Sequence, residues 1–199
     1  MEAAVPEISY IVNAYNRPLH LPTVIGSLLV QTHQDFEILV IDNSPNAWEN
    51  VQHEAVVKMD AHERIRYFNP RLISCYHACE FGAEQSTGEY LCFPSDDGYY
   101  MPEFGAALLY ACRNRPLDMA FCEVVHDRRC NGVYGIFNTA ARCGQIDKGC
   151  FILHRSKFNG FPTKPCTDRP CPADGEMVDM LVRDGVVCGK VDEILAVHN

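Results

Sequence analysis

Positive charge is in short supply. Seventeen Lys and Arg face 26 Asp and Glu, a formal net charge of −9, which speaks against a nucleic acid or an anionic membrane surface as the main partner. Long apolar runs are also missing: no stretch approaches the roughly 20 residues that a bilayer span needs, so no integral membrane segment is expected. The opening MEAAVPEISY has neither a basic n-region nor an apolar h-region, and a cytoplasmic location is the expectation. No C-x-x-C occurs among the 11 cysteines. The nearest pairs, Cys75/Cys79 and Cys166/Cys171, lack the tight paired spacing of zinc sites, and most of these residues read as reduced core thiols. Finally, no G-x-G-x-x-G follows the first apolar run and no G-x-x-x-x-G-K-[ST] occurs anywhere, which removes the main support for dinucleotide and P-loop readings. A fold that holds phosphate without a glycine cradle has to lean on a cation.

What is present suits one soluble domain of 199 residues, 47% hydrophobic and 22% charged, with no repeat or linker. In the first half, apolar runs alternate with helical patterns. ISYIVN at 8–13, FEILVID at 36–42, IRYFN at 65–69 and YLCFP at 90–94 read as strands. Between them come a helix with Val24, Ile25, Leu28 and Leu29 at helical spacing, a turn and helix over 43–60, and a helix over 75–87 ended by Gly88. A helix from Pro102 and a strand at 119–125 complete this half. The alternation predicts an α/β fold with a mostly parallel, Rossmann-like central sheet flanked by helices. Beyond residue 126 come a hairpin or loop at CNGVYGIFN, a strand at 148–155, a turn, a helix with Met177, Met180 and Leu181 at core spacing, and a last strand. The expected organisation is one domain, with residues 1–126 binding nucleotide and 127–199 facing an acceptor.

Ligands of parallel sheets bind at the carboxyl ends of the strands. There the loops NAYNRP, DNSPN and SDDGYY converge, the last carrying Asp96 and Asp97. Two adjacent carboxylates repel each other unless they face water or a cation. A hard divalent ion, Mg²⁺ or Mn²⁺, suits such a pair and would neutralise a diphosphate. A solvated acidic turn is the plain alternative.

ISYIVNAYNRPLHLPTVIGSLLVQTHQDFEILVIDNSPN resembles the opening of family 2 glycosyltransferases of GT-A fold, and TGEYLCFPSDDGYYMPEF resembles their block with a DXD-type metal site, in the variant of bacterial spore-coat polysaccharide glycosyltransferases. DKGCFILHRSKFNGFP and PADGEMVDMLVRDG resemble the acceptor-side strand and the segment with the catalytic base, so the likeness spans nearly the whole chain in order. The resemblance implies a donor of nucleoside diphosphate-sugar type, with UDP or dTDP, and a hydroxyl-bearing acceptor, a saccharide or lipid-linked saccharide. It implies that Asn13, Tyr15, Arg17, Asp42, Asn43, Arg71 and Asp96 bind the nucleotide-sugar, that Asp97, with Asp96 and His198, serves Mn²⁺ or Mg²⁺, and that Asp174 is the base. Asp174 also suits a helix N-cap, and Asp168, Glu176 and Asp179 are possible substitutes. This chain departs from the family at Asn43, where an acid is usual, at Ala173, and at Cys79 and Glu80, where relatives often carry Arg-Asn. His77, His126 and His154 read as structural or surface residues, and Trp48 and Tyr76 as packing residues or sugar platforms. A sugar-phosphate nucleotidyltransferase would want a glycine-rich loop after the first strand, which VNAYNRP lacks. A non-catalytic nucleotide-sugar or carbohydrate-binding module is the rival outside enzymes.

Overall fold

Apolar runs with no polar side to show to water must be covered on both faces. The computed structural model describes residues 5–45, 53–54, 56, 58–59, 63–72, 74–127, 132–162 and 173–199. In it β1 (Ile8–Ala14), β2 (Phe36–Asp42), β3 (Ile65–Phe68) and β4 (Tyr90–Cys92) lie parallel in the order β3-β2-β1-β4. β1 and β2 are buried along nearly their whole length. α1 (Leu21–Leu29) opens with a proline in its first turn, where a missing N–H costs little, and buries Leu21, Val24, Ile25 and Leu28. α2 (Cys75–Gln85) is capped by Ser74, whose hydroxyl accepts the His77 amide at 3.3 Å. It packs on the sheet through Gly82, where a Cβ would collide with Cγ2 of Ile11 and come within 3.1 Å of Ile41.

Two expected boundaries move. α2 stops at Gln85 with Ser86 as its C-cap, and Gly88 serves the sheet instead: a Cβ there would lie 2.5 Å from the Ser9 hydroxyl and 2.7 Å from the Ser9 amide. α3 (Phe104–Asn114) starts beyond Pro102, whose carbonyl accepts the Thr32 amide at 2.7 Å. The turn and helix expected over 43–60 lie largely outside the described residues, as do Trp48, Cys166, Asp168 and Cys171.

The sheet continues with β8 (Phe151–His154), β6 (Met119–His126), β9 (Cys188–His198) and β5 (Gly98–Tyr100), with β7 (Gly135–Phe137) paired to β6. Here β4–β8, β8–β6, β6–β7 and β9–β5 are antiparallel, and β6–β9 is parallel. The fold is thus α/β with a parallel first half and a mixed second half, and strands from both sides of residue 126 share one sheet. α4 (Ala173–Arg183) buries Met177, Val178 and Leu181. Met180, expected in the core, is 43% exposed, because the buried stripe of the helix runs through Asp174, Met177, Val178 and Leu181 and leaves Met180 beyond its edge.

One charge is buried beneath the parallel strands. Glu37 accepts from the Ser9 hydroxyl at 2.8 Å and from the amides of Thr87 at 2.6 Å and Gly88 at 3.2 Å, and it pairs with Arg66 at 3.3 Å. Burial would raise its pKa, but these donors outweigh it and hold the carboxyl below its ordinary value. Cys75, Cys79, Cys92, Cys112, Cys122, Cys150 and Cys188 are free thiols, and burial pushes Cys79, Cys112 and Cys122 up to about 12. Cys143, by contrast, is disulfide-bonded. Among the described residues no helix is long and apolar enough to cross a membrane.

Candidate active site

The loops after β1, β2 and β4 meet at the carboxyl edge of the sheet, where Asn13 pairs with Ser95 in an isolated parallel bridge. A cleft of about 800 Å³ opens there, lined by Asn13, Tyr15, Asn43, Arg71, Leu72 and Ser74 among others. The Tyr15 ring is half exposed while its amide donates to Asp96 Oδ2 at 2.8 Å. Asn43 spends its amide on the loop opposite: Oδ1 accepts from Leu72 N at 3.0 Å and Nδ2 donates to the Ser74 carbonyl at 3.4 Å. That fastening holds Arg71, itself at φ +55°, on the wall of the cleft. Asp42 is fully buried, accepting from Ser44 N at 2.7 Å and from the Tyr67 hydroxyl. It supports the turn beneath the cleft, where a nucleotide contact was expected. The departures also have places: Cys79 is buried, its thiol donating to Asn13 Oδ1 at 3.9 Å, and Glu80 accepts the Phe161 amide at 2.8 Å.

Asp96 and Asp97 are only 6% and 8% exposed, so they are no solvated turn. A cation from the chain sits against them: the Arg17 guanidinium is 3.3 Å from Asp96 Oδ1 and contacts Asp97 Oδ2. The other oxygen of Asp97, Oδ1, is buried with no hydrogen-bond partner among the described residues. It faces His198 Nε2 at 3.6 Å. β5 and β9 dictate this, since Gly98 stands opposite His198 in their register. An orphaned carboxylate oxygen beside an imidazole nitrogen is a donor set that fits a divalent cation, so Asp97 and His198 are the residues that would hold one.

Sequence reasoning missed Asp147 and Lys148. The buried Lys148 ammonium donates to Asn13 Oδ1 at 2.5 Å, to the Phe93 carbonyl at 3.0 Å and to Ser95 Oγ at 3.1 Å, tying the first and fourth strand ends together. Its backbone amide donates to Asp174 Oδ2 at 3.2 Å. Asp147 accepts from His198 Nδ1 at 2.7 Å, and His126, read as structural, completes a group in which the candidate ligand atoms of His126, Asp147 and His198 lie within 4.8 Å of one another. Burial works against the Asp147 carboxylate, yet the His198 hydrogen bond and charge, with Lys148 and the Gly149 amide, hold its pKa at about 2. Asp174 moves the other way. Burial first, and then the Asp147 charge, raise its pKa. It lies inside the first turn of α4, past the N-cap position. Of its possible substitutes, Asp179 accepts the Cys143 amide at 2.9 Å, and Glu176 carries a buried Oε1 with no hydrogen-bond partner among the described residues.

The model of Glycosyl transferase family 2 matches residues 9–169. An uncharacterized glycosyltransferase of Rickettsia conorii is 33% identical over 109 residues, which is 54% of this chain and 18% of that protein. The chain therefore spans about a fifth of the length of that relative. S. aureus TarS in complex with UDP-GlcNAc superposes with a TM-score of 0.76 at 14% identity, covering 97% of this chain and 58% of that one. The mannosyltransferase PcManGT from Pyrobaculum calidifontis, in complex with GDP-Man and Mn²⁺, gives a TM-score of 0.76 at 15% identity, over 98% of this chain and 57% of that one. At these identities the likeness of structures speaks for the GT-A fold.

Proposed function

The chain belongs to glycosyl transferase family 2, and from that premise we propose that it moves a sugar, with inversion, from a UDP- or dTDP-type nucleoside diphosphate donor to a hydroxyl of a saccharide or lipid-linked saccharide, in polysaccharide or glycoconjugate synthesis. The observation that carries the reading is the buried Asp97, with one oxygen unpartnered and turned toward His198 at 3.6 Å, beside a cleft of nucleotide size. Neighbours of the same fold that hold UDP-GlcNAc, or GDP-Man with Mn²⁺, support the donor class. Asn13, Tyr15 and Arg71 line the cleft as the nucleotide contacts, with Asn43 and Asp42 holding the loops that frame it. Arg17 and Asp96 face the diphosphate and ribose. Asp97 and His198 would hold Mn²⁺ or Mg²⁺, which would supply positive charge to the diphosphate leaving group. Asp174 removes the acceptor proton as the acceptor oxygen bonds to the anomeric carbon, and the bond from that carbon to the diphosphate oxygen breaks with its electron pair going to the leaving group.

The test is nucleoside diphosphate release from a panel of nucleotide sugars, with candidate acceptors, in the presence and absence of Mn²⁺. We expect metal-dependent release that falls by about 100-fold or more in Asp97→Ala, the scale seen when one charge-stabilising group is removed. Tight, metal-independent binding with no turnover on any donor would replace this reading with a binding module.

A further inference from the structure

The geometry points to Asp147 as the positioning residue that turns His198 into a nitrogen ligand for the cation at Asp97. This rests on the function proposed above and adds a residue that no motif marks.

His198 is held from several sides. Its backbone pairs with Gly98 on one flank and with His126 on the other. The His126 ring packs on it with centroids 4.6 Å apart. Within that frame the two ring nitrogens have different neighbours: Nδ1 lies 2.7 Å from Asp147 Oδ2, and Nε2 lies 3.6 Å from Asp97 Oδ1. An ionised carboxylate can only accept, so the Asp147 side keeps a proton on Nδ1, and Nε2 is the nitrogen left to give its lone pair to a cation at Asp97 in place of a proton. That is the arrangement by which an outer carboxylate orients a metal-bound imidazole. The spacing permits it. Two ligand atoms that each sit about 2.1 Å from one cation can be up to about 4.2 Å apart.

Asp147 is itself fixed. Its other oxygen, Oδ1, accepts the Gly149 amide at 2.8 Å, and its carbonyl accepts the Cys150 amide at 3.0 Å. Only Oδ2 is left for His198. On the far side Arg17 occupies Asp97 Oδ2, which leaves Oδ1 as the oxygen turned to the imidazole. The consequence is chemical selectivity. A nitrogen donor beside a carboxylate favours Mn²⁺ over Mg²⁺, which prefers oxygen and water.

Asp147→Asn tests this with little change of shape. The Gly149 amide keeps the Asn oxygen on its own side, so the Asn NH₂ turns to His198 Nδ1. A donor there selects the tautomer protonated at Nε2, which cannot ligate. In the full chain, Mn²⁺ binding followed by electron paramagnetic resonance should weaken by about 10- to 100-fold in Asp147→Asn, and the histidine nitrogen hyperfine coupling to Mn²⁺ should vanish. Mg²⁺ binding by calorimetry should change far less. His198→Gln should reproduce both Mn²⁺ effects independently of how well Asp147→Asn folds, and the double variant should bind no more weakly than His198→Gln alone. Unchanged Mn²⁺ affinity in Asp147→Asn, a surviving nitrogen coupling, or additive losses in the double variant would overturn the inference while the glycosyl-transfer reading stands. Wild-type protein that binds neither Mn²⁺ nor Mg²⁺, with or without nucleoside diphosphate, would overturn both.

Discussion

Asp174 and Asp147 have carboxyls that burial alone would push the same way, yet they end on opposite sides of the ordinary range. Asp147 has a histidine against it and stays ionised to low pH, whereas Asp174 is buried beside that negative charge and is raised. A base must be deprotonated, so a raised pKa moves the acidic limb of the kcat/KM profile above the position an ordinary carboxylate would give. The same shift means the protonated form is the one the fold favours: its contribution to stability is present below the unfolded pKa and lost as pH rises through the folded one. Asp174→Asn should lower kcat by about 10²- to 10⁴-fold, with donor affinity by calorimetry unchanged. Transfer that survives the substitution would remove Asp174 as the base. At this scale the sequence was only partly legible. Adjacent aspartates at a strand end announce themselves, and so does a loop such as NAYNRP. Lys148 does not, because its partner Asn13 is 135 positions away, and no local pattern links a lysine before one strand to an asparagine in another. His126 reads as a structural or surface residue for the same reason: only the β6–β9 register brings it to His198.

At the scale of elements, the parallel half follows from local signals that agree with one another. Apolar runs buried on both faces make the strands, Ser74 starts α2, and apolar positions at helical spacing turn α1 inward. Gly82 shows where such signals stop. In a solvent-facing helix, Gly→Ala gains up to about 1 kcal/mol from helix propensity. Here the methyl would run into Ile11 and Ile41, and overpacking of a filled core costs about 1–3 kcal/mol. Gly82→Ala should therefore destabilise the protein, read as a lower denaturant midpoint. A stabilised variant would mean that α2 can lift off the sheet cheaply. The antiparallel pairs were not foreseen, since alternation of strand and helix speaks only to crossovers. β5 is three residues long, too short for a pattern, yet its pairing with β9 sets His198 beside Asp97.

For the molecule as a whole, the order of blocks along the chain foretold the fold class and the place of the cleft, while the contacts that join one end of the site to the other appear only once the sheet has closed. Net charge is −9, and the adjacent Asp96 and Asp97 are paired with the chain's own Arg17. The fold should then not depend on metal. Treatment with EDTA is expected to leave the melting temperature within about a degree of the untreated value, since only a ligand that binds the native state shifts it, whereas Mn²⁺ with a nucleoside diphosphate at 100 times its Kd should add about 2.7 kcal/mol. A large loss on chelation would mean that Arg17 does not suffice. The guanidinium against Asp96 and Asp97 also sets what an incoming cation would meet. Arg17 stays on Asp97 Oδ2 while Oδ1 faces His198, so a metal held at Oδ1 on the proposed reading would sit near a tethered like charge and bind more weakly than its ligands alone would allow. Diphosphate oxygens placed between the two cations would relieve that repulsion.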